Sequence, residues 1–210
     1  MYIDIHTHTP TCSKNNCLSI YNLQLSNQTP LKIGDKFSAG IHPWYIPKNP
    51  TRAIEELKTL AKESNMVAIG ECGIDKLCNT PMELQKEIFK EQIRISEEIG
   101  KPLIIHCVKS YNEIIELTKE INPSQPWIIH GFRGKPEVAE MLIKAEIILS
   151  FGERFNPDTI KKIAIEKVLI ESDKSSMPIE EIYKNIATTR NMSVKELTKE
   201  VEKTYKKIFQ

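Results

Sequence analysis

The chain has 210 residues, 40% of them apolar and 27% charged, with a net charge of +1. That composition is ordinary for a water-soluble globular protein, and no block of like charges is long enough for a nucleic-acid tail, so any nucleic-acid contact is expected to be local to a cleft. No apolar run approaches the ~18 residues that span a bilayer, and no basic stretch with an apolar run opens the chain, so a cytoplasmic protein without a membrane partner is expected.

The five cysteines, Cys12, Cys17, Cys72, Cys78 and Cys107, are odd in number and irregularly spaced. They argue against a disulfide framework and for a reducing compartment. Cys12 and Cys17 lack the second well-spaced pair of a structural zinc site.

The predicted elements begin with a strand at Met1–Ile5, followed by His6 and His8. These two residues lie two apart and, on an extended chain, point to the same side, where both can reach one ion. A polar stretch leads to a second strand near Leu18–Leu25, with no helix between the two strands. A short strand at Phe37–Ile41 ends at His42. Thr51–Glu63 reads as a helix, with Ile54, Leu57, Leu60 and Ala61 as its apolar face and Asn49 or Thr51 as cap.

From there, strand and helix alternate. Strands are predicted at Met66–Gly70, ending at Glu71; Pro102–Ile105, ending at His106; Pro126–Ile129, ending at His130; Ile147–Ser150; and Lys167–Ile170, ending at Glu171-Ser172-Asp173. Helices are predicted at Pro81–Ile99, with Leu84, Ile88, Ile95 and Ile99 inward, and at Tyr111–Ile121, Pro136–Lys144 and Pro157–Ile165. Two more close the chain, Ile179–Thr188 and Ser193–Ile208, the last with a Ser193/Glu196 capping box and Leu197, Val201 and Ile208 as its face. Short, continuously apolar strands separated by helices predict an α/β fold with a parallel sheet buried on both faces. Seven or eight such strands in a single domain over 1–210 predict a short, TIM-type (β/α) barrel, trimmed or irregular at its N-terminal region.

All five histidines, His6, His8, His42, His106 and His130, fall just past a predicted strand end, as do Glu71 and Asp173. Each alone has a structural explanation: a hydrogen-bonded core histidine, or a carboxylate capping the next segment. Together, on the C-terminal rim of a parallel barrel, they predict a metal site. Imidazole and carboxylate donors suit Zn, Mn or Fe, and a carboxylate-rich set also suits Mg. The surplus over one tetrahedral zinc points to two adjacent ions, an arrangement suited to displacement at phosphorus.

Six ordered segments carry a resemblance to one family: Asp4-Ile5-His6-Thr7-His8, Gly40-Ile41-His42-Pro43, Ala68 to Asp75, Gly100 to His106, Ile128 to Gly134, and Leu169 to Asp173. They resemble, over almost the whole chain, the TatD family of metal-dependent deoxyribonucleases. The resemblance implies two divalent ions (Mg, Mn or Zn) held by His6, His8, Glu71, His106, His130 and Asp173, with Glu71 as the bridge. It implies that Asp173 orients or deprotonates the attacking water, that His42 contacts substrate, and that Glu171 supports the site. The implied reaction is hydrolysis of phosphodiester bonds by metal-activated water. The expected substrate is DNA, at single-stranded ends, or a small phosphoester, and a monomer is expected. An amidohydrolase-type enzyme acting on a small amide, lactone or ester is the alternative, but many of those bridge their metals with a lysine where this chain has Glu71. A metal-holding scaffold is the non-enzymatic alternative.

Three departures bear on substrate. Val108 stands where the family often has arginine, with Lys109 following; Arg133 replaces a usually small residue; and Lys174-Ser175-Ser176-Met177-Pro178 follows Asp173. Lys109 and Arg133 are candidate phosphate contacts, with solvated surface charge as the alternative. The chain is also shorter than typical members, in its N-terminal third. Trp44, beside His42, is placed either to stack on a base or to pack at the rim.

Overall fold

In the computed structural model, residues 1–9, 16–25 and 35–209 are described. The predicted loops containing Pro10 and Pro30, and the Cys12 member of the cysteine pair, lie outside them. Among the described residues are eight strands: β1 (Tyr2–Thr7), β2 (Cys17–Gln24), β3 (Lys36–Gly40), β4 (Met66–Asp75), β5 (Leu103–Val108), β6 (Trp127–Ile129), β7 (Ile148–Phe151) and β8 (Val168–Ile170). They form one sheet in chain order, β1 to β8. The helices are α1 (Pro50–Leu60), α2 (Met82–Ile99), α3 (Tyr111–Ile121), α4 (Pro136–Lys144), α5 (Pro157–Lys162), α6 (Ile179–Thr189) and α7 (Val194–Phe209). The fold is the expected α/β, TIM-type barrel class. The four described cysteines, Cys17, Cys72, Cys78 and Cys107, are free thiols.

The chain divides into two compact units. The first comprises Met1–Tyr21 and Ile129–Gln210. Its core is Ile3, Ile5, Leu149, Phe151 and Leu169 from the strands, with Ile182, Ile186, Leu197 and Val201 from α6 and α7, all at most 1% exposed. The Tyr183 hydroxyl, buried here, donates to Ile3 O at 2.9 Å and accepts Ile3 N–H at 3.1 Å. A side chain thus occupies both backbone groups of Ile3. The capping box at α7 forms as expected: Ser193 Oγ accepts Glu196 N–H at 3.2 Å, and Glu196 Oε2 accepts Ser193 N–H at 2.8 Å. Helix α5 stops at Lys162, short of the predicted Ile165, because Arg190 takes its last carbonyls, donating to Ile163 O at 2.9 Å and also to Ile160 O. A 3-10 turn at Ile165–Lys167 then leads into β8.

The second unit is Asn22–Ile128. Here β4 runs to Asp75, five residues beyond the predicted end, because it stays paired with β5: Gly73 opposes His106, Ile74 opposes Cys107 and Asp75 opposes Val108. The register shifts between Gly70 and Cys72, so Glu71 lies at a bulge inside the strand and not past its end. For the same reason His106 belongs to β5. In the first unit, His6 likewise falls within β1. The strands therefore outlast the apolar runs from which their ends were read. Gly70 and Gly73 permit the close β4–β5 approach: a Cβ there would lie 2.4 Å from Ile104 O and 2.2 Å from His106 O, at φ of +148° and +130°.

The inner face of α2 is also shifted. Gln85, Ile88, Phe89, Gln92 and Ile95 are buried, whereas Leu84 and Ile99 are only half-buried. The two buried glutamines serve strand backbone. Gln92 Oε1 accepts Ile41 N–H at 2.7 Å while its Nε2 donates to Ile41 O at 3.1 Å. Gln85 does the same at Asp75, at 2.8 and 3.0 Å. At α1, Asn49 occupies the cap position without a side-chain cap bond, and Pro50 fills the first turn.

Candidate metal centre

Within each unit, candidate ligands come together. In the first unit, His6 leaves β1 buried, and His8 follows one residue beyond the strand. Asp173 sits on the turn after β8 with φ +52°, a left-handed conformation that Asp tolerates better than most residues. Two backbone bonds tie that turn to the end of β1: Asp173 N–H donates to His6 O at 2.9 Å, and His8 N–H donates to Asp173 O at 3.0 Å. Asp173 Oδ1 consequently lies 3.6 Å from His6 Nε2 and 3.4 Å from His8 Nε2. The His130 ring completes the group, with its centroid 4.4 Å from that of His6.

Two buried carboxylates brace these residues. Glu171 Oε1 accepts Gly131 N–H at 2.7 Å and lies 3.3 Å from His130 Nδ1. Taken as His130 Nδ1–H donating to Glu171, that contact fixes the tautomer and leaves Nε2 as the donor to a metal. Asp4 accepts Ser172 N–H at 2.9 Å and Ser172 Oγ–H at 2.7 Å, fastening β1 to the residue beside Asp173. Burial pushes the Asp4 carboxyl up to about 7, against the pull of the two Ser172 donors.

In the second unit, Glu71 Oε1 is 2.9 Å from His106 Nδ1 and 3.2 Å from His42 Nε2. Asn22 on β2 grips the same residue twice: its Oδ1 accepts Glu71 N–H at 3.0 Å, and its Nδ2 donates to Glu71 Oε2 at 3.3 Å. Asp75, 1% exposed, stands behind His106, with Oδ2 3.0 Å from Nε2. It also accepts the Trp44 indole N–H at 2.6 Å and Leu77 N–H at 2.7 Å. Burial raises the Asp75 carboxyl, but the donations from His106, Leu77 and Trp44 outweigh it and hold the group below its usual value. With Asp75 holding Nε2–H, His106 turns Nδ1 toward Glu71 Oε1.

His42 differs from the other histidines. Its Nδ1 accepts Trp44 N–H at 3.0 Å, so in the neutral ring the proton is on Nε2, which faces Glu71 as a donor. It is therefore a hydrogen-bond donor in its present setting, even though its ring nitrogen lies within 4.8 Å of ligand atoms of Glu71 and His106.

The residues fit a divalent metal. His6, His130 and Asp173 in the first unit, and His42, Glu71 and His106 in the second, each offer donor atoms within 4.8 Å of one another. Two donors each ~2.1 Å from one ion are at most about 4.2 Å apart, so small side-chain rotations suffice. The buried Glu171 Oε2 has no hydrogen-bond partner among the described residues, and a nearby cation would compensate its charge.

Of the remaining sequence-derived candidates, Lys109 is exposed after β5 at φ +52°, and Arg133 is exposed on the loop after β6. Trp44 is 50% exposed, with its ring edge-on to His106 at 5.8 Å. Asp75, Asn22, Gln85 and Gln92 carry roles that sequence reasoning did not assign. Asp75 lies in the Ala68 to Asp75 segment, beyond the expected end of β4 at Gly70.

An α/β barrel with imidazole–carboxylate groups at its strand ends defines a metal-dependent hydrolase. Residues 6–210 match the family described as "TatD related DNase", and the chain belongs to that family. It is 31% identical over 194 residues to a metal-dependent hydrolase of Buchnera aphidicola, covering 82% of this chain and 73% of that one. It is 26% identical over 146 residues to the human 3'-5' RNA nuclease TATDN2, covering 64% of this chain and 19% of that protein. Among solved structures, the TatD homologue YjjV of Escherichia coli superposes with a TM-score of 0.85 at 18% identity, over 99% of this chain and 97% of that one, and shows the same fold. No helix among the described residues is long and apolar enough to cross a membrane.

Proposed function

We propose that this chain is a deoxyribonuclease that hydrolyses phosphodiester bonds at single-stranded DNA ends, using two divalent ions. The observation that carries this reading is the gathering of His6, His130 and Asp173, and of His42, Glu71 and His106, each set with donor atoms within 4.8 Å of one another, with Asp75 and Glu171 bracing His106 and His130. His6, His8, His130 and Asp173 would hold one ion, and Glu71 and His106 the other. Bound divalent ions supply Lewis acidity, charge neutralisation at the phosphoryl group and a lowered pKa of water.

The chain's own residues do the rest. Asp173 Oδ1 orients the attacking water and accepts its proton. Glu71, gripped by Asn22, keeps its carboxylate fixed through the reaction. His42 Nε2–H donates to a substrate oxygen, its orientation set by Trp44 N–H. Lys109 and Arg133 supply positive charge to flanking phosphates.

The test is a nuclease assay on single-stranded DNA and RNA oligonucleotides with Mg²⁺, Mn²⁺ or Zn²⁺. DNA cleavage by the wild type, abolished by His106→Ala combined with Asp173→Asn, is expected. His6→Ala and His8→Ala lower metal occupancy as well as turnover. Cleavage unaffected by these changes overturns the site. Activity on small esters alone moves the substrate to that class, and activity on RNA alone moves it to RNA.

A further inference from the structure

We infer that the first unit carries a phosphate-binding subsite beside Asp173, formed by Arg154 and Lys174 together with Arg133. The inference rests on the nuclease reading for its substrate, but the cavity stands on its own geometry. The cavity measures about 190 Å³, smaller than the ~300 Å³ at which pockets for drug-sized ligands begin. It suits a phosphate group and not a whole nucleotide. Its lining includes Gly131 and Gly152, where an added Cβ would meet nothing closer than Glu171 at 3.6 Å.

The charges in the lining are unequally engaged. Of the acidic groups, Glu171 is fully buried with Oε1 accepting Gly131 N–H, Glu153 accepts the Ser175 hydroxyl at 2.5 Å, and Asp173 lies in the histidine group. The three cations are exposed, and none has an ion pair or side-chain hydrogen bond among the described residues. Elsewhere in the same unit, lysines pair: Lys167 with Glu146, Lys184 with Glu181 and Lys203 with Glu200. Three cations with no ion pair among the described residues line one small cavity next to a candidate metal ligand, where an anion is a fitting partner.

The loops that carry them are tied to one another, which fixes the spacing before any ligand binds. Thr159 Oγ–H donates to Gly134 O at 2.7 Å, linking the Arg133 loop to α5. Asn156 caps α5, accepting Asp158 and Thr159 N–H at 3.0 and 3.1 Å, just after Arg154. Ser175 bonds Glu153 with its hydroxyl while its N–H donates to Ser172 O at 2.9 Å, holding the turn that carries Lys174. Such preorganisation lowers the ordering cost of binding. A phosphate of the nucleic acid, held here, would set its neighbouring phosphodiester against Asp173.

The test uses the metal-loaded full chain, with Arg154→Gln, Lys174→Gln, the double variant, and Lys144→Gln as a distant exposed control. Inorganic phosphate is titrated calorimetrically, metal content is measured in each protein, and single-stranded oligonucleotide cleavage is followed across a salt series. We expect phosphate binding to weaken about 10-fold or more in the double variant at unchanged metal content, with KM for the oligonucleotide rising in parallel. The salt dependence of log KM should lose about 0.7 in slope, the value for one phosphate neutralised on a single strand. Phosphate affinity equal to wild type in the double variant overturns the subsite, whatever the nuclease activity. Weakened phosphate binding in a protein that cleaves no nucleic acid upholds the subsite and overturns the nuclease reading.

Discussion

Replacing Gln92 by leucine isolates the contribution of one buried amide. Gln92 is fully buried on α2, and its two side-chain atoms occupy both backbone groups of Ile41, a residue itself 5% exposed. Leucine fills similar volume but leaves Ile41 N–H and C=O without those partners. Each stranded buried group costs about 1–3 kcal/mol, so the pair costs about 4 kcal/mol at mid-range. For a chain of this size, 1 kcal/mol corresponds to roughly 2–4 °C, and the expected fall in Tm is about 8–16 °C. Thermal unfolding followed by circular dichroism measures it. Because Ile41 precedes His42, KM should also rise in the folded protein at low temperature. A Tm within 2 °C of wild type would refute the reasoning, by showing that water or relaxation satisfies Ile41 at little cost.

The other predictions concern single side chains. Asp75→Asn keeps the shape but removes the carboxylate behind His106, and metal affinity in the second unit should fall about 10–100-fold. Metal titration measures it, and affinity equal to wild type contradicts the bracing role. Tyr183→Phe removes the hydroxyl that serves both backbone groups of Ile3 and should cost about 2 kcal/mol or more, read as a Tm lower by at least ~4 °C. Ser193→Ala breaks the capping box of α7 and should cost about 1 kcal/mol, with faster amide exchange at the first turn of that helix.

How much of this was readable in the sequence depended on the kind of interaction. The alternation of apolar strands and amphipathic helices was legible because burial on both faces leaves a composition signature, so the barrel class and the α7 capping box followed from it. Strand ends were less legible. β4 continues through Glu71, Cys72 and Gly73 to Asp75 by pairing with β5, and pairing leaves no mark in apolar content. Gln85 and Gln92 are illegible for the same reason: on a helix, glutamine reads as solvent-facing, and only the neighbouring strand shows that its amide is occupied. The histidines and carboxylates stood out by their positions next to apolar runs. Asn22 did not, since one asparagine in an alternating strand carries no distinguishing pattern. Arg190, which ends α5, lies 27 residues beyond the carbonyl of Ile163 that it caps.

Gly73 and the cations around Asp173 divide the chain into positions of very different evolutionary latitude. At Gly73 a single methyl group would collide with the carbonyl of His106, so no side chain enters without displacing that histidine. Arg133, Arg154 and Lys174 make no ion pair or side-chain hydrogen bond among the described residues, and exchanging such surface residues typically changes stability by no more than ~0.5 kcal/mol. Lineages built on this frame are thus free to revise which anion they accept while the reacting groups stay where they are. Divergence among relatives should accordingly accumulate at the loop cations, and the glycines of β4 should be the last positions to vary.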